Sequence, residues 1–171
     1  MPFVVQPLTA DHDRTSFDCG EPDLDEFIRR YARQNQERGI GRTFVAVPEG
    51  ERRVVAFYTL AAGSVAFAHV PDELRRRLPR YPIPVARLAR LATCRSVRGR
   101  GLGGAMLVDA LARTVRIGKE LGIAAVVVEA KTGAARGFYE RYGFETLLDD
   151  ALHLFLPIAT ARSLVAPGGE P

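Results

Sequence analysis

The amino-acid sequence predicts an α/β (α+β) fold, a sheet flanked by helices, and three features favour it. Short apolar segments of strand length alternate with longer segments whose apolar residues recur at helical spacing. Two of the apolar segments, 43–47 and 54–60, are joined by a Pro-Glu-Gly turn that is typical of a hairpin. A third, 85–93, precedes the glycine-rich stretch 98–104, which opens a long amphipathic segment in the order strand, turn, helix.

The remaining elements follow from local patterns. A strand is predicted at 3–7, and a helix at 22–36 begins with Pro22, which suits a first helical turn. After the hairpin, a short basic helix at 71–78 precedes three prolines that impose an extended connection. The prediction continues with a helix at 102–121, a buried strand at 123–128 and a helix at 132–141. It ends with a turn at 143–145 that leads into a last pair of strands, the second at 151–156.

Length and composition limit the class of protein. The 171 residues suit a single domain, which we expect to span 1–165, followed by a frayed tail at 166–171. A net charge of +4 suits an anionic ligand or partner. Two cysteines give no disulfide framework, and no Cys and His residues have metal-site spacing, so no metal is expected. No apolar run could cross a bilayer and no signal-peptide pattern is present, so we expect a cytoplasmic protein without membrane contact.

The glycine-rich stretch carries the strongest chemical signal. It consists of Arg98, Gly99, Arg100, Gly101, Leu102, Gly103 and Gly104. Glycines let the backbone approach a ligand closely, and the first N–H groups of the following helix favour a phosphate group. A P-loop is excluded because the stretch does not end in Lys followed by Ser or Thr, and a Rossmann fingerprint does not suit this late position in a small chain. The alternative is a helix start without a ligand.

Two motifs together resemble the GCN5-related N-acetyltransferases. Arg98-x-x-Gly101-x-Gly103 is similar to the acetyl-CoA loop of that family, and Ala135-x-x-Phe138-Tyr139-x-x-x-Gly143-Phe144 is similar to its second signature. Further stretches resemble the acetyltransferase toxins of bacterial toxin–antitoxin modules, and the resemblance covers nearly the whole chain. They are Phe17-Asp18-Cys19-Gly20, Leu24-Asp25-x-Phe27, Arg42-Thr43-Phe44-Val45, Phe57-Tyr58-x-Leu60 and Arg90-Leu91-Ala92. The chain departs from the usual pattern at two places. Thr93-Cys94 stands where many relatives carry Val-Asp, and Thr132 stands where the signature helix often starts with Asn.

The resemblance implies a fold and a cofactor. The sheet is expected to be mixed, mostly antiparallel and splayed between its fourth and fifth strands, and acetyl-CoA is the expected acetyl donor. Backbone N–H groups of the fourth strand would hold the pantetheine arm, and backbone N–H groups of the glycine turn would bind the pyrophosphate. Arg98 or Arg100 would pair with a phosphate of the cofactor. The cofactor-binding residues implied are Leu91, Ala92, Thr93, Arg98, Gly99, Arg100, Gly101, Leu102, Gly103, Gly104, Thr132, Ala135 and Phe138.

Tyr139 is the candidate catalytic residue, a general acid. A phenol with a pKa of about 10 is protonated at neutral pH and can protonate a leaving thiolate whose pKa is about 8.5. The other interpretation of Tyr139 is a packed aromatic side chain, and Tyr142 is the rival tyrosine. No residue stands out as a general base. Glu129 could relay a proton through water, or it could be a solvated carboxylate only.

Members of the toxin group acetylate the amino group of an amino acid attached to tRNA, and this is the activity that the resemblance implies. It also implies a ribbon-helix-helix antitoxin as partner, and a homodimer. The candidate tRNA-binding residues are Arg42, Arg75, Arg76, Arg77, Arg80, Arg87 and Arg90. One alternative is acetylation of a small-molecule or protein amine, and a second is a CoA-binding or nucleic-acid-binding module without catalysis.

Overall fold

A computed structural model describes residues 2–166, and these residues form two compact units. Within the described residues, the N-unit contains 2–61 and 89–110, and the C-unit contains 62–88 and 111–166. The expectation of a single domain over 1–165 stays a prediction. Of the tail predicted to fray, Ala166 follows the last helix, and 167–171 lie outside the described residues.

The N-unit contains three antiparallel strands and a segmented helix. Strand β1 pairs with β2, and β2 pairs with β3, in registers that place Val5 opposite Ala46 and Val45 opposite Phe57. The strands are β1 (Phe3–Pro7), β2 (Arg42–Pro48) and β3 (Ala56–Val65), the last of which continues into the C-unit. The helix predicted at 22–36 is present as α1 (Pro22–Glu26), a π-helical turn (Phe27–Tyr31) and α2 (Ala32–Glu37).

The C-unit is built around a parallel pair of strands. Strand β4 pairs with β5 from Val85 opposite Ala125 to Leu88 opposite Val128, and then continues into the N-unit as far as Thr93. Its strands are β4 (Ile83–Thr93), β5 (Ala125–Glu129), β6 (Glu145–Thr146) and β7 (His153–Pro157). Its helices are α3 (Asp72–Arg75), the second half of α4 (Leu102–Ile117), α5 (Gly133–Glu140) and α6 (Ile158–Val165).

The hydrogen-bonded strand order of the sheet is β1-β2-β3-β4-β5-β7-β6. The pairs β1–β2, β2–β3, β5–β7 and β6–β7 are antiparallel, whereas β4 and β5 are parallel. The predicted class, a mixed and mostly antiparallel sheet flanked by helices, is therefore confirmed. The ladder between β4 and β5 ends at Leu88, as expected for two strands that part toward their carboxyl ends.

Each unit buries its own apolar cluster. In the N-unit, the rings of Phe17 and Phe57 meet edge to face with their centroids 5.3 Å apart, and neither side chain is exposed. In the C-unit, Val85, Val127 and Phe155 belong to a buried cluster on the sheet. Burying each such side chain contributes about 1.5–3 kcal/mol, so these clusters hold β3 and β4 in place. Within residues 2–166, no helix is long and apolar enough to span a membrane.

Candidate active site

The carboxyl end of β4 places the residues predicted to hold the pantetheine arm. Ala92 is buried, and Leu91 and Thr93 are half-buried. Beyond Leu88, no β5 residue in the described part of the chain pairs with β4. That edge of the strand can therefore accept an extended ligand as an added strand. The next residue, Cys94, ends the strand with its N–H donating to the Val55 carbonyl at 2.8 Å.

The glycine turn has the backbone conformation that its sequence predicts. Gly99 and Gly101 have φ angles of +79° and +75°, in the left-handed region that favours glycine. A Cβ atom built on either residue would meet no other atom within 4 Å, so open space lies beside both. At Gly103, a Cβ would meet Thr93 Cγ2 alone, at 3.9 Å. The turn therefore offers backbone atoms to a ligand without side-chain obstruction.

The first turn of α4 supplies hydrogen-bond donors to this space. Ala105 N–H donates to the Gly101 carbonyl at 3.1 Å. The preceding N–H groups, those of Leu102, Gly103 and Gly104, have no backbone acceptor within residues 2–166. Such groups at the positive end of a helix that runs to Ile117 bind anions. The open turn and its free donors fit a pyrophosphate.

The two arginines of the turn differ in their surroundings. The Arg98 guanidinium donates a hydrogen bond to the carbonyl oxygen of Cys19, which ties the turn to the segment before α1. Because a guanidinium has five N–H groups, this bond leaves others available. Arg100 is exposed, and no residue of the described chain pairs with it. Of the two predicted phosphate ligands, Arg100 is thus the one whose whole guanidinium can reach a ligand.

Helix α5 begins with a side-chain cap. Thr132 has extended backbone angles, and its hydroxyl oxygen accepts a hydrogen bond from Ala135 N–H at 3.1 Å. Thr and Asn both serve as N-cap residues, so Thr132 replaces the Asn of many relatives without loss of this role. Ala135 and Phe138 follow on α5, and both are half-buried.

Tyr139 lies on α5, and its side chain is 7% exposed. Burial raises the pKa of Tyr139 above that of an ordinary phenol. Within residues 2–166, the Tyr139 hydroxyl has no hydrogen-bond partner. Every side-chain nitrogen or oxygen atom in these residues that is fully shielded from solvent does have such a partner. The hydroxyl oxygen therefore reaches accessible surface while the ring is buried. This arrangement keeps a protonated phenol available as a proton donor.

Tyr142 is also held by aromatic packing. Its ring meets Phe138 at a centroid distance of 5.5 Å, and it is half-buried after the end of α5. This contact is what the sequence predicts for a packing residue, but the catalytic choice between Tyr139 and Tyr142 stays a prediction.

Glu129 ends β5 beside a histidine. It lies opposite His153 on β7, and His153 Nε2 is 3.4 Å from Glu129 Oε2. The other ring nitrogen, Nδ1, is 2.9 Å from Asp149 Oδ2. The hydrogen bond to Asp149, opposed in part by burial and reinforced by Glu129, raises the pKa of His153. Glu129 is therefore a carboxylate with an imidazole neighbour, a pairing that the sequence did not predict because the two residues lie far apart in it.

The predicted tRNA-binding arginines occupy several elements. Arg42 and Arg90 lie in the N-unit, and the other five lie in the C-unit. Arg75 pairs with Asp72 and lies 5.8 Å from the Phe67 ring centre, so its charge is partly engaged. Arg76, Arg77, Arg80 and Arg87 are exposed to differing extents, whereas Arg90 is half-buried with its guanidinium 3.7 Å from the Phe27 ring centre.

One buried polar contact was missed by sequence reasoning. Tyr58, which is fully buried, donates a 2.5 Å hydrogen bond to Asp109 on α4, within the N-unit. Tyr58 belongs to a stretch that resembles the toxin group, but nothing in its spacing identifies Asp109 as the partner. The bond fixes the helix that follows the glycine turn against β3.

The sequence profile of the acetyltransferase (GNAT) domain family matches residues 39–146, which include both the glycine turn and Tyr139. The chain belongs to the GNAT family. It is therefore an acetyltransferase, and its acetyl donor is acetyl-CoA, as the resemblance in the sequence implied.

Comparisons with individual proteins and solved structures show which members of the GNAT family this chain is similar to. It is 45% identical, over 153 residues that cover 90% of each chain, to a Mycobacterium tuberculosis protein named tRNA-acetylating toxin. It is similar, with a TM-score of 0.89 and 29% identity, to the toxin AtaT complexed with acetyl-methionyl-tRNAfMet, over 95% of this chain and 99% of that one. A mutant AtaT bound to acetyl-CoA and the C-terminus of the antitoxin AtaR has a TM-score of 0.84 and 27% identity, over 96% and 99% of the chains.

Proposed function

We propose that this GNAT acetylates the α-amino group of aminoacyl-tRNA and thereby stops translation. The observation that carries the proposal is the 45% identity, over nine-tenths of both chains, with a protein named tRNA-acetylating toxin. An acetylated α-amino group cannot attack the ester of the growing peptide, so a tRNA so modified cannot extend the chain.

The N-unit holds the acetyl donor. Bound acetyl-CoA supplies an acetyl group activated as a thioester. The free N–H groups of Leu102, Gly103 and Gly104 bind the pyrophosphate, with Arg100 on a phosphate. The open edge of β4 from Leu91 to Thr93 aligns the pantetheine arm. A backbone N–H of this stretch would supply the hydrogen bond that stabilises negative charge on a thioester oxygen during transfer.

The acceptor needs little help to become nucleophilic. An α-amino group has a pKa of about 8, so at pH 7 a far larger fraction of it is neutral than of a lysine side chain with a pKa of about 10.4. A strong general base is therefore unnecessary. Glu129, together with His153 at 3.4 Å, is a group that can accept the proton through water after the amine attacks.

Tyr139 holds the proton for the leaving thiolate. Its buried ring and raised pKa keep the hydroxyl protonated, and a thiolate with a pKa of about 8.5 departs more readily when it takes up a proton. Tyr139 would therefore supply the proton that the sulfur takes up when the C–S bond breaks, which is general acid catalysis.

The exposed arginines are proposed to bind the tRNA backbone. Arg76, Arg77 and Arg80 follow α3 within five residues and carry no carboxylate partner among the described residues. Arg75, held by Asp72, contributes less to this patch. Arginine is suited to phosphate because its planar fork can form two parallel hydrogen bonds.

A ribbon-helix-helix antitoxin and a homodimeric assembly complete the proposal. Support for an antitoxin comes from the similar AtaT structure that contains the C-terminus of the antitoxin AtaR. A small ribbon-helix-helix protein encoded beside this chain should co-purify with it, and mass photometry of the complex should give a toxin dimer. A monomeric toxin at micromolar concentration would contradict the dimer.

Cell-free translation tests the biological effect. Adding the enzyme with acetyl-CoA should stop synthesis of a reporter, whereas either one alone should not. Adding peptidyl-tRNA hydrolase, which recycles N-blocked aminoacyl-tRNA, should restore synthesis. Unimpeded translation with an enzyme that still acetylates a small amine would favour the small-molecule alternative.

A further inference from the structure

A cavity of about 140 Å³ lies wholly within the N-unit, between the segmented helix and strands β2, β3 and β4. Its walls combine apolar and polar side chains. They include Phe27, Asn35, Ile40, Thr43, Thr59 and Arg90, and we call it the Phe27–Arg90 cleft. Ile40 is 59% exposed, so an apolar side chain stands at a wall that solvent can reach.

Arg90 is the unusual group in this cleft. Its guanidinium lies over the Phe27 ring, 3.7 Å from the ring centre, and the residue is half-buried. Burial lowers the pKa of Arg90, because it removes water from the charged form. No carboxylate of residues 2–166 lies within 4.0 Å of the guanidinium. Partly buried charges in proteins are normally paired, so Arg90 has donors that await an anion from outside the chain.

The other polar walls divide into satisfied and available groups. The hydroxyls of Thr43 and Thr59 are 2.7 Å apart and satisfy each other. The Asn35 carbonyl accepts a bond from Ile40 N–H, but its side-chain amide has no partner within the described residues. The cleft therefore presents a guanidinium and an amide, both hydrogen-bond donors, to whatever enters it.

The position of Arg90 along β4 relates the cleft to the chemistry. Arg90 immediately precedes Leu91, the first residue of the stretch proposed to align the pantetheine arm. Successive strand residues are about 3.3 Å apart, so Arg90 and Thr93 are separated by about 10 Å. A single nucleotide with its aminoacyl ester can span that distance. A tRNA group bound at Arg90 is therefore part of the same aminoacylated end of the tRNA as the reacting amine.

We propose that the Phe27–Arg90 cleft binds the phosphate that joins the last two nucleotides of the acceptor tRNA, with Arg90 as the main donor and Asn35 as the second. This inference rests on the proposed function. The α-carboxyl group of the amino acid is esterified to the tRNA and carries no charge, so the nearest anion of the tRNA to the amine is this phosphate. Stacking on Phe27 holds the guanidinium plane in place, which suits the bidentate geometry that phosphate accepts.

The test pairs a substrate change with a protein change. The acceptor is an aminoacyl-tRNA carrying an amino acid that the wild-type enzyme acetylates, prepared with either the natural phosphate or a neutral methylphosphonate at the last linkage. The enzymes are the wild type, Arg90→Gln and Arg38→Gln, the last a control that removes an exposed arginine of the same unit. Thermal unfolding and acetyl-CoA affinity verify that each variant is folded.

With the wild type, kcat/KM should fall about ten- to a hundredfold on replacing the phosphate, the usual effect of losing a charged hydrogen bond. On the natural tRNA, the kcat/KM of Arg90→Gln should be lower than that of the wild type by a similar factor. On the methylphosphonate tRNA, the kcat/KM of Arg90→Gln should be close to that of the wild type on the same tRNA. Arg38→Gln should behave as the wild type on both. Equal losses on both tRNAs, or no loss on either, would overturn the cleft assignment while leaving the proposed function intact. A wild type that acetylates neither tRNA nor any unmodified aminoacyl-tRNA would overturn the proposed function itself.

Discussion

The ring of Tyr139 meets the ring of Phe144 edge to face, with centroids 5.5 Å apart and planes inclined by 62°. Phe144 N–H also donates to the Tyr139 carbonyl at 3.4 Å, so backbone and ring contacts act together. The contact joins α5 to the residues that follow it, and it fixes the Tyr139 ring without using the Tyr139 hydroxyl. Removing the hydroxyl should therefore leave the packing unchanged.

Tyr139→Phe tests the proton donor. The variant should keep the acetyl-CoA affinity and unfolding temperature of the wild type, and its kcat should fall by about 10²–10⁴-fold, the usual contribution of general acid catalysis. Tyr142→Phe is the matched control, since it removes a hydroxyl from the neighbouring ring that contacts Phe138. Wild-type kcat in Tyr139→Phe together with a large decrease in Tyr142→Phe would reverse the assignment.

The pH dependence of kcat/KM tests the ionisation states. Activity should rise toward a pH of about 8 as the α-amino group of the acceptor becomes neutral. Tyr139 acts when protonated, so its deprotonation would lower activity, and its raised pKa moves that decrease above the ordinary value of about 10. Initial rates, corrected for ester hydrolysis, should therefore be maintained up to a pH of about 9.5. A decline centred near a pH of about 8.5 would contradict Tyr139 as the acid.

Gly103→Glu tests the phosphate site. A carboxylate at the first turn of α4 would occupy the position of the pyrophosphate and repel it, so acetyl-CoA affinity should fall on the order of a hundredfold or more. Gly103→Ala is the control, because its Cβ would make only an ordinary contact with Thr93 Cγ2 at 3.9 Å. Calorimetry should find a folded Gly103→Glu protein with little affinity. Unchanged affinity would place the cofactor elsewhere.

The double variant Arg76→Glu with Arg77→Glu tests the tRNA surface. Reversing the charge of these two residues should lower aminoacyl-tRNA acetylation while leaving acetyl-CoA affinity alone. Because phosphate contacts release counterions, the slope of log affinity against log salt should become shallower by about one for each phosphate that the variant no longer binds. Arg38→Glu with Arg52→Glu makes the same charge change at other exposed sites. An equal effect of the two double variants would reject a localised patch.

His153 and Asp149 should make stability depend on pH. The pKa of His153 is raised, so its contribution is fully present below the unfolded value of about 6.5 and is lost as pH rises through the folded value. Burial is the largest single influence on the pKa of Asp149 and raises it, but the hydrogen bond from His153 and the charges of His153 and His69 together lower it below its usual value, so that contribution is lost in acid. His153→Gln should therefore lower the free energy of unfolding most below a pH of about 6.5, where the imidazolium faces an ionised Asp149, and least once the pH has passed the raised folded pKa of His153. The decrease should be about 1 kcal/mol or less, as is usual for a surface pair. A difference independent of pH would contradict the ion pair.

Local signals in the sequence predicted most of the elements. The β1 strand and the start of α4 are found at the predicted residues, because a strand-length apolar run and a glycine turn determine them locally. Helix α4 ends at Ile117 rather than 121, and the remaining residues form a looser turn. The last helix, α6, was not predicted, since its segment follows Pro157 without a side-chain cap.

The π-helical turn at Phe27–Tyr31 shows why the rest could not be predicted. A sequence pattern with helical spacing predicts one continuous helix, and an inserted turn changes that spacing by a single residue. The stacking of Arg90 on Phe27 likewise joins residues that are far apart in the sequence and depends on how β4 lies against this helix. Motifs predicted a role for the glycine turn and for Tyr139, but only the folded chain reveals a guanidinium without a carboxylate partner among the described residues.

Mass analysis of the acceptor tests the central claim most directly. Total aminoacyl-tRNA is incubated with the enzyme and isotope-labelled acetyl-CoA, digested with a nuclease that releases the aminoacyl-adenosine end, and analysed by mass spectrometry. The account predicts at least one aminoacyl-adenosine that carries one labelled acetyl group on its α-amine, absent without enzyme and strongly reduced with Tyr139→Phe. No labelled aminoacyl-adenosine from any tRNA, with an enzyme that binds acetyl-CoA, would contradict it.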